Sequence, residues 1–243
     1  MITVGVKSDV GIKRDNNQDS FYISENNNIL LYLVADGMGG HKAGKLASTM
    51  ARDIIQSNFN EDEVDLDNEK DILKKIKTSI EEANTKIYLK AMDEEFKGMG
   101  TTVTMAYIFE NKIYLGHVGD SRAYLIKKDE IIQITEDHSY VNQLLKTGSI
   151  TKKEAKSHPK RNMITRAVGS SSIIEIDLIV KEWDQDDILI LCSDGLTNMV
   201  KDYKIIKAFK DGDNIQKSCD KLVQIANKNG GIDNITVIAM KFN

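Results

Sequence analysis

Two cysteines in 243 residues are too few for a disulfide framework, and they lack the spacing of a zinc site. Cys192 lies inside an apolar run and Cys219 on an apolar helical face, so both read as buried free thiols of a reducing cytoplasm. Proline is nearly absent: Pro159 is the only one, and no repeat, linker or low-complexity tract divides the chain, which predicts one domain over 1–243. No run approaches the ~20 apolar residues of a membrane span. The N-terminus, Met1-Ile2-Thr3-Val4-Gly5, lacks a basic segment followed by an apolar one, so a cytoplasmic protein without a membrane partner is expected. Positive charge is not concentrated either. The formal net charge is -4, and Lys127-Lys128 and Lys152-Lys153 read as solvated surface. Without the basic stripe that phosphate-backbone affinity needs, a nucleic-acid partner is not expected.

What the chain does have is a globular balance of 41% hydrophobic and 29% charged residues, at a length for which folding buries roughly 70% of the extended surface. Its most informative stretch is 31–44. There the apolar run Leu31-Tyr32-Leu33-Val34-Ala35 delivers Asp36 into Gly37-Met38-Gly39-Gly40-His41, and helix-forming sequence resumes after Gly44. A carboxylate at a strand end, beside glycines that let backbone groups come close, suits a hard divalent cation such as Mg²⁺ or Mn²⁺. One Asp-Gly turn is ordinary. Here the pattern recurs: Asp194-Gly195 follows the run Ile188 to Cys192, and Gly119-Asp120 and Gly231-Ile232-Asp233 also end strand-like runs.

Along the chain, Ile2 to Val6 and Ser20 to Ser24 read as strands joined by a polar loop. In that loop Arg14 offers a planar fork for two phosphate oxygens, and Asp19 stands at a strand entrance. Asn26-Asn27-Asn28 turns the chain into the Leu31 strand as a hairpin. Apolar stripes over Ala43 to Asn58 and Glu69 to Glu95, separated by the acidic loop Glu61 to Asp67, predict two helices lying on a sheet. Val103 to Phe109, Lys112 to Val118 and Ala123 to Ile126 predict an antiparallel meander with short turns. Periodicity fades from Thr135 to Ser172, apart from a helical piece near Tyr140 to Thr147, and this segment reads as a flap. Strands return at Ile174 to Val180 and Ile188 to Cys192, helices at Asp202 to Phe209 and Ile215 to Lys228, and a last strand at Asn234 to Met240. Hairpins in place of strand-helix-strand crossovers indicate an α+β fold of antiparallel sheets covered by helices.

Eight motifs now stand in order: Arg14 with Asn17-Gln18-Asp19, Asp36 to His41, Gly100-Thr101-Thr102, Gly119-Asp120-Ser121-Arg122, Asp137-His138-Ser139, Thr165 to Gly169, Ser193-Asp194-Gly195-Leu196, and Asp233-Asn234-Ile235-Thr236. Together they resemble the bacterial metal-dependent protein serine/threonine phosphatases of type 2C. The resemblance implies a four-layer αββα sandwich, two antiparallel sheets each covered by a pair of helices. It implies hydrolysis of phosphoserine and phosphothreonine, with two tightly bound Mn²⁺ or Mg²⁺ ions and a weaker third. By the same resemblance Asp36 bridges two metals, with the Gly37 carbonyl on one and Asp194 and Asp233 completing the shell of the other. Asp19 belongs to the second ion, directly or through water, Arg14 clamps the phosphate, and Asp120 helps hold the third ion. Gln18 stands where animal members often have glutamate and is left out of the metal set. His41 lies where a general acid has been proposed, in a turn whose length differs from the animal motif. Phosphorylated proteins, a serine/threonine kinase and its targets are the implied partners, and a monomer is expected.

Phosphate-monoester hydrolysis is among the slowest uncatalysed reactions, needing accelerations up to ~10²¹. Two cations can hold a bridging water, lower its pKa and neutralise the phosphoryl group, so no protein nucleophile is required. A hydrolase of nucleotides or small phosphate esters would use the same ions. A non-catalytic phosphopeptide reader would be expected to lack the carboxylates, and here the set is intact.

Overall fold

The computed structural model describes residues 2–24, 29–40, 42–60, 68–210 and 214–243. Strands β1 (Ile2–Asp9), β2 (Asp19–Ile23) and β3 (Leu30–Met38) lead into helices α1 (Ala43–Asn60) and α2 (Glu69–Lys90). The short β4 (Gly100–Thr101) precedes β5 (Val103–Phe109), β6 (Lys112–Val118), β7 (Arg122–Lys127) and β8 (Glu130–Gln133). Helices α3 (Tyr140–Lys146) and α4 (Lys152–Ser157) occupy the flap segment, which returns through β9 (Asp177–Glu182) and β10 (Ile188–Cys192). Helices α5 (Asp194–Thr197), α6 (Asp202–Lys210) and α7 (Ile215–Lys228) then precede β11 (Ile235–Phe242). The Asn26 to Asn28 turn and the Glu61 to Asp67 loop lie outside the described residues.

One sheet has the order β1-β11-β10-β7-β8, the other β2-β3-β5-β6-β9 with β4 pairing β3. All pairings are antiparallel. Strand alternation sorts the core into three apolar layers. Leu31, Leu33 and Ala35 of β3 pack with Ala47, Ala51 and Ile55 of α1 and Ile72, Ile76 and Ile80 of α2. Ile188, Ile190, Val237 and Ala239 pack with Ile205 of α6 and Cys219, Leu222 and Val223 of α7. The intervening residues, Tyr32 and Val34 of β3, Ala106 and Ile108 of β5, Leu189 and Leu191 of β10, and Ile238 and Met240 of β11, fill the space between the sheets. This is the expected αββα sandwich.

Several expectations need correction. The meander is broken: β5 and β6 pair, but β7 pairs β10 and β8 in the other sheet, so Gly119-Asp120-Ser121 is a crossing between sheets. Strand β3 does not end at Asp36 but runs on through Gly37 to Met38, because Gly37 and Met38 pair with β4. The second helix stops at Lys90, with a separate 3₁₀ turn at Glu94–Phe96. Both cysteines are buried free thiols. Lys127 is more than solvated surface, since its ammonium lies 3.0 Å from both Asp184 and Asp187. Among the described residues no helix is long and apolar enough to cross a membrane.

Candidate active site

The inter-sheet layer changes character along its length. Continuing the alternation that places Tyr32, Val34, Leu189, Leu191, Ile238 and Met240 between the sheets brings Asp36, Ser193 and Thr236 to the same face. The parity of Phe21 and Ile23 does the same for Asp19 on β2, and that of Ala106 and Leu115 for Thr104 on β5 and His117 on β6. One end of the layer is thus apolar and the other polar. Polar groups enclosed this way must find partners.

Most of them do. Asp36 is held by its backbone: its amide donates to Thr102 Oγ1 at 2.9 Å, and its carbonyl accepts from the Thr102 amide and the Thr101 hydroxyl, both at 2.9 Å. Asp19 Oδ2 accepts from Ser193 Oγ at 2.8 Å and Thr236 Oγ1 at 2.7 Å. The Thr236 hydroxyl is itself 2.8 Å from Ser8 Oγ, which accepts from Asn17 Nδ2 at 2.9 Å, and Ser193 Oγ accepts from the Thr236 amide at 2.9 Å, so both hydroxyls on Asp19 are oriented from behind. Asn234 clips the Arg14 loop, accepting from the Gln18 amide and donating to the Val10 and Asn16 carbonyls. Asn198 donates to Asp194 Oδ2 at 2.9 Å.

Among the described residues, three enclosed carboxylate oxygens find no hydrogen-bond donor: Asp19 Oδ1, Asp120 Oδ1 and Asp194 Oδ1. Burial pushes Asp19 up to about 7, with Asp194 and Asp233 adding to the rise while the Thr236 and Ser193 hydroxyls oppose it. Asp120 is pushed up to about 8, chiefly by burial and then by Asp194. Asp194 rises to about 6 through burial and the charge of Asp233. Asp36 stands well above the usual carboxylate range through burial and the neighbouring charges of Asp19, Asp194, Asp120 and Asp233. Five carboxylates from five separate segments therefore feel one another, an electrostatic arrangement that favours bound cations.

Among the described residues, Arg14 is the one cation that pairs with a side chain of the five, its Nη2 lying 2.9 Å from Asp233 Oδ2. Among the described residues no three acidic, histidine or cysteine side chains form a finished cage for one ion. With Asp233 turned to Arg14, the orphaned oxygens of Asp19, Asp120 and Asp194 are what fits a hard divalent cation, which takes carboxylate, carbonyl and water oxygens together.

The glycines after Asp36 and Asp194 serve the chain's own packing. A Cβ on Gly37 would meet the Gly44 carbonyl oxygen of α1 at 2.0 Å, and one on Gly195 would meet the Asn234 carbonyl oxygen at 1.9 Å. Asp-Gly thus recurs because each carboxylate is followed by a contact of backbone on backbone, a reason that the reading of glycines opening toward a ligand had missed.

Asp120 sits on the crossing between sheets, and that crossing is tied to the segment 135–172. His138 donates its backbone amide to the Gly119 carbonyl at 2.8 Å, and the Gly119 amide donates to His138 Nδ1 at 3.0 Å. The second ring nitrogen of His138 then carries its hydrogen toward Asp177 Oδ2 at 3.1 Å, and Arg166 donates to Asp177 Oδ1 at 2.8 Å. Arg122 and Asp137 form a bidentate pair at 2.8 and 2.6 Å beside it. Sequence reasoning gave no role to Ser193, Thr236, Asn234 or His138. The available signal was a polar residue at an inter-sheet position, as Thr236 is in register with Ile238 and Met240. His41 lies outside the described residues.

A protein phosphatase 2C profile matches residues 12–235 of the chain. The chain is 39% identical to the serine/threonine phosphatase Stp of Listeria innocua over 239 residues, 98% of this chain and 94% of that protein. It superposes on a serine/threonine phosphatase of S. agalactiae with a TM-score of 0.96 and 37% identity, covering all of both chains. The catalytic domain of the serine/threonine protein phosphatase PstP, solved with two manganese ions, matches with a TM-score of 0.86 and 34% identity, over 99% of this chain and 97% of that one. The chain belongs to the protein phosphatase 2C family, whose members are metal-dependent. It is a phosphatase that acts on proteins.

Proposed function

We propose that Asp36 bridges two divalent cations, Mn²⁺ or Mg²⁺, at the polar end of the inter-sheet layer, with the Gly37 carbonyl and Asp19 serving one ion and Asp194 and Asp233 the other. The observation that carries this reading is the set of enclosed carboxylate oxygens on Asp19, Asp120 and Asp194 without a partner. The enzyme is a protein serine/threonine phosphatase, and phosphorylated proteins are its substrates. It works as a monomer, with 1–243 as one catalytic domain and 135–172 as a flap that shapes the approach of the peptide, and it opposes a serine/threonine kinase. Bound at the site, two such ions lower the pKa of a water between them and neutralise charge on the phosphoryl group. Phosphate release from phosphoserine and phosphothreonine peptides in Mn²⁺, abolished by excess chelator and restored by fresh Mn²⁺, is the expected result; release that ignores chelator contradicts it.

Arg14 orients the phosphoryl group. It is half-exposed, and an ion pair this open to solvent contributes about 1 kcal/mol or less, so exchanging Asp233 for a dianionic phosphate costs little. Charge-assisted hydrogen bonds are stronger, about 1.5–3 kcal/mol each. Arg14→Ala is therefore expected to lower kcat/KM on phosphopeptides by roughly 10- to 100-fold while leaving Mn²⁺ binding intact by calorimetry. Loss of both would make Arg14 a scaffold for Asp233 instead.

Asp120 would help hold the third, weaker ion, which would supply proton assistance to the leaving serine oxygen. As a plain turn residue, its change to Asn would cost within ~0.5–1 kcal/mol of stability and nothing in rate. In the assigned role, Asp120→Asn keeps the fold and the two tight ions but loses at least about tenfold in kcat on phosphopeptides. The loss is smaller on aryl phosphates, whose leaving group needs less proton assistance. Full phosphopeptide activity across a Mn²⁺ titration would return Asp120 to a turn residue.

A further inference from the structure

The open side of the site is rimmed by two loops that carry isoleucine where turn chemistry would favour polar residues. Ile12, two residues before Arg14, is 62% exposed, and Ile232, directly before Asp233, is 42% exposed. Asn, Asp, Ser and Gly dominate such loop tips because they satisfy their own backbone, and an aliphatic side chain there gains nothing in the free protein.

These isoleucines are held in place. The Ile12 and Lys13 amides both donate to the Gly231 carbonyl, at 2.7 and 3.1 Å, and the Gly11 amide donates to Asp9 Oδ1 at 2.8 Å. Asn227 Nδ2 donates to the same Asp9 oxygen at 3.0 Å, and Asn229 Nδ2 donates to the Met199 carbonyl at 2.7 Å. The Arg14–Asp233 pair crosses between the same two loops. Ile12 Cγ1 lies 2.9 Å from the point where a side chain on Gly231 would begin, while Ile232 Cγ2 and Met199 Sδ lie 3.6 and 3.7 Å from the corresponding point on Gly230. Ile12, Ile232 and Met199 thus gather about the Gly230-Gly231 turn, on loops tied to each other beside Arg14.

We propose that Ile12 and Ile232, with Met199 behind them, are a specificity shelf that receives an aliphatic or aromatic side chain of the phosphoprotein within two residues of its phosphoserine or phosphothreonine. This rests on the assignment of Arg14 and Asp233 to the catalytic site. The occupant follows from reach and chemistry. In an extended peptide the residues flanking the phosphoresidue lie ~3.5–7 Å along the chain from it, and Ile12 and Ile232 stand on the same two loops as Arg14 and Asp233, two and one positions before them. The three side chains themselves carry no charge and their loops are tied before binding, so an apolar side chain is desolvated there at little entropic cost, whereas a carboxylate or amide seated on them gains no hydrogen bond from the isoleucines.

The test uses the full chain with Mn²⁺ and phosphothreonine peptides that differ only in having Leu or Glu at each position from two before to two after the phosphoresidue. At one or more of these positions the Leu peptide is expected to exceed the Glu peptide by at least tenfold in kcat/KM, mostly through KM. In the double variant Ile12→Asn, Ile232→Asn the ratio at that position is expected to fall below about threefold, by loss on the Leu peptide. Thermal unfolding of the variant with Mn²⁺ checks that it is folded, and Ile12→Val, Ile232→Val, which keeps the apolar surface, is expected to restore most of the preference. A wild-type enzyme that hydrolyses all peptides equally, or a preference that survives the Asn substitutions, overturns the shelf alone. Hydrolysis of no peptide at all overturns the phosphatase reading and the shelf with it.

Discussion

Replacing Asp36 by asparagine is expected to abolish hydrolysis and the binding of two Mn²⁺ ions together. Its backbone is tied at both ends to Thr101 and Thr102, so the strand has no reason to move. What the change removes is a buried carboxylate that feels the charges of all four others, Asp19, Asp194, Asp120 and Asp233. Loss of a single preorganised donor to a developing charge commonly costs 10²–10³ in kcat, and a bridging ligand serves two ions, so a fall on the order of 10³-fold or more is expected. The metal-free variant should be at least as heat-stable as the metal-free parent at neutral pH, because asparagine fills the buried position without having to take up a proton or carry a charge. Calorimetry showing two Mn²⁺ ions bound with undiminished affinity would remove Asp36 from the bridging role.

The second large effect lies in the pH dependence of stability. Asp19, Asp120 and Asp194 are raised to about 7, 8 and 6, and Asp36 is raised well above the carboxylate range, in each case first by burial. Unfolded aspartates titrate near 3.9. Between about pH 4 and pH 8 the folded, metal-free chain therefore holds more protons than the unfolded one, and its stability falls as pH rises through that window. Chelator-treated protein is expected to unfold at least about 5 °C lower at pH 8.5 than at pH 5.5. Saturating Mn²⁺ should reverse the trend, because the ion displaces the extra protons: a cation at 100 times its dissociation constant adds about 2.7 kcal/mol. The shift on adding Mn²⁺ should thus be larger at pH 8.5 than at pH 5.5. Equal shifts at both values would mean that the carboxylates are not its ligands.

Much of this was legible before any coordinates. Strands β5, β6 and β10 and helix α7 have the bounds expected, because each carries a full apolar pattern closed by a turn or a cap. Five carboxylates could be read as a site because each stands at the end of a strand-like run. The placement of β7 could not, since a short connection pairs neighbouring strands only when both stay in one sheet, and residues 119–121 cross between two. Strand β4 and helix α5, two and four residues long, are too short for any periodicity to register. Strand β8 is mostly exposed, so it shows no alternation to read. The supports were hidden for another reason. Ser193 and Thr236 look like interruptions of apolar runs until the partner sheet is known, and His138 meets Gly119 and Asp177 across 19 and 39 residues of chain.

The arrangement of ions about Asp36 is the centre of this reading, and anomalous diffraction at the manganese edge from crystals grown with Mn²⁺ tests it most directly. Two strong peaks within about 4 Å of each other are expected, with the Asp36 carboxylate between them, Asp194 and Asp233 against one, and Asp19 and the Gly37 carbonyl against the other. Arg14 should be turned away from Asp233. Manganese peaks that leave Asp36 without a ligand bond, or a site in which Arg14 keeps Asp233 while no ion touches Asp194, would contradict it.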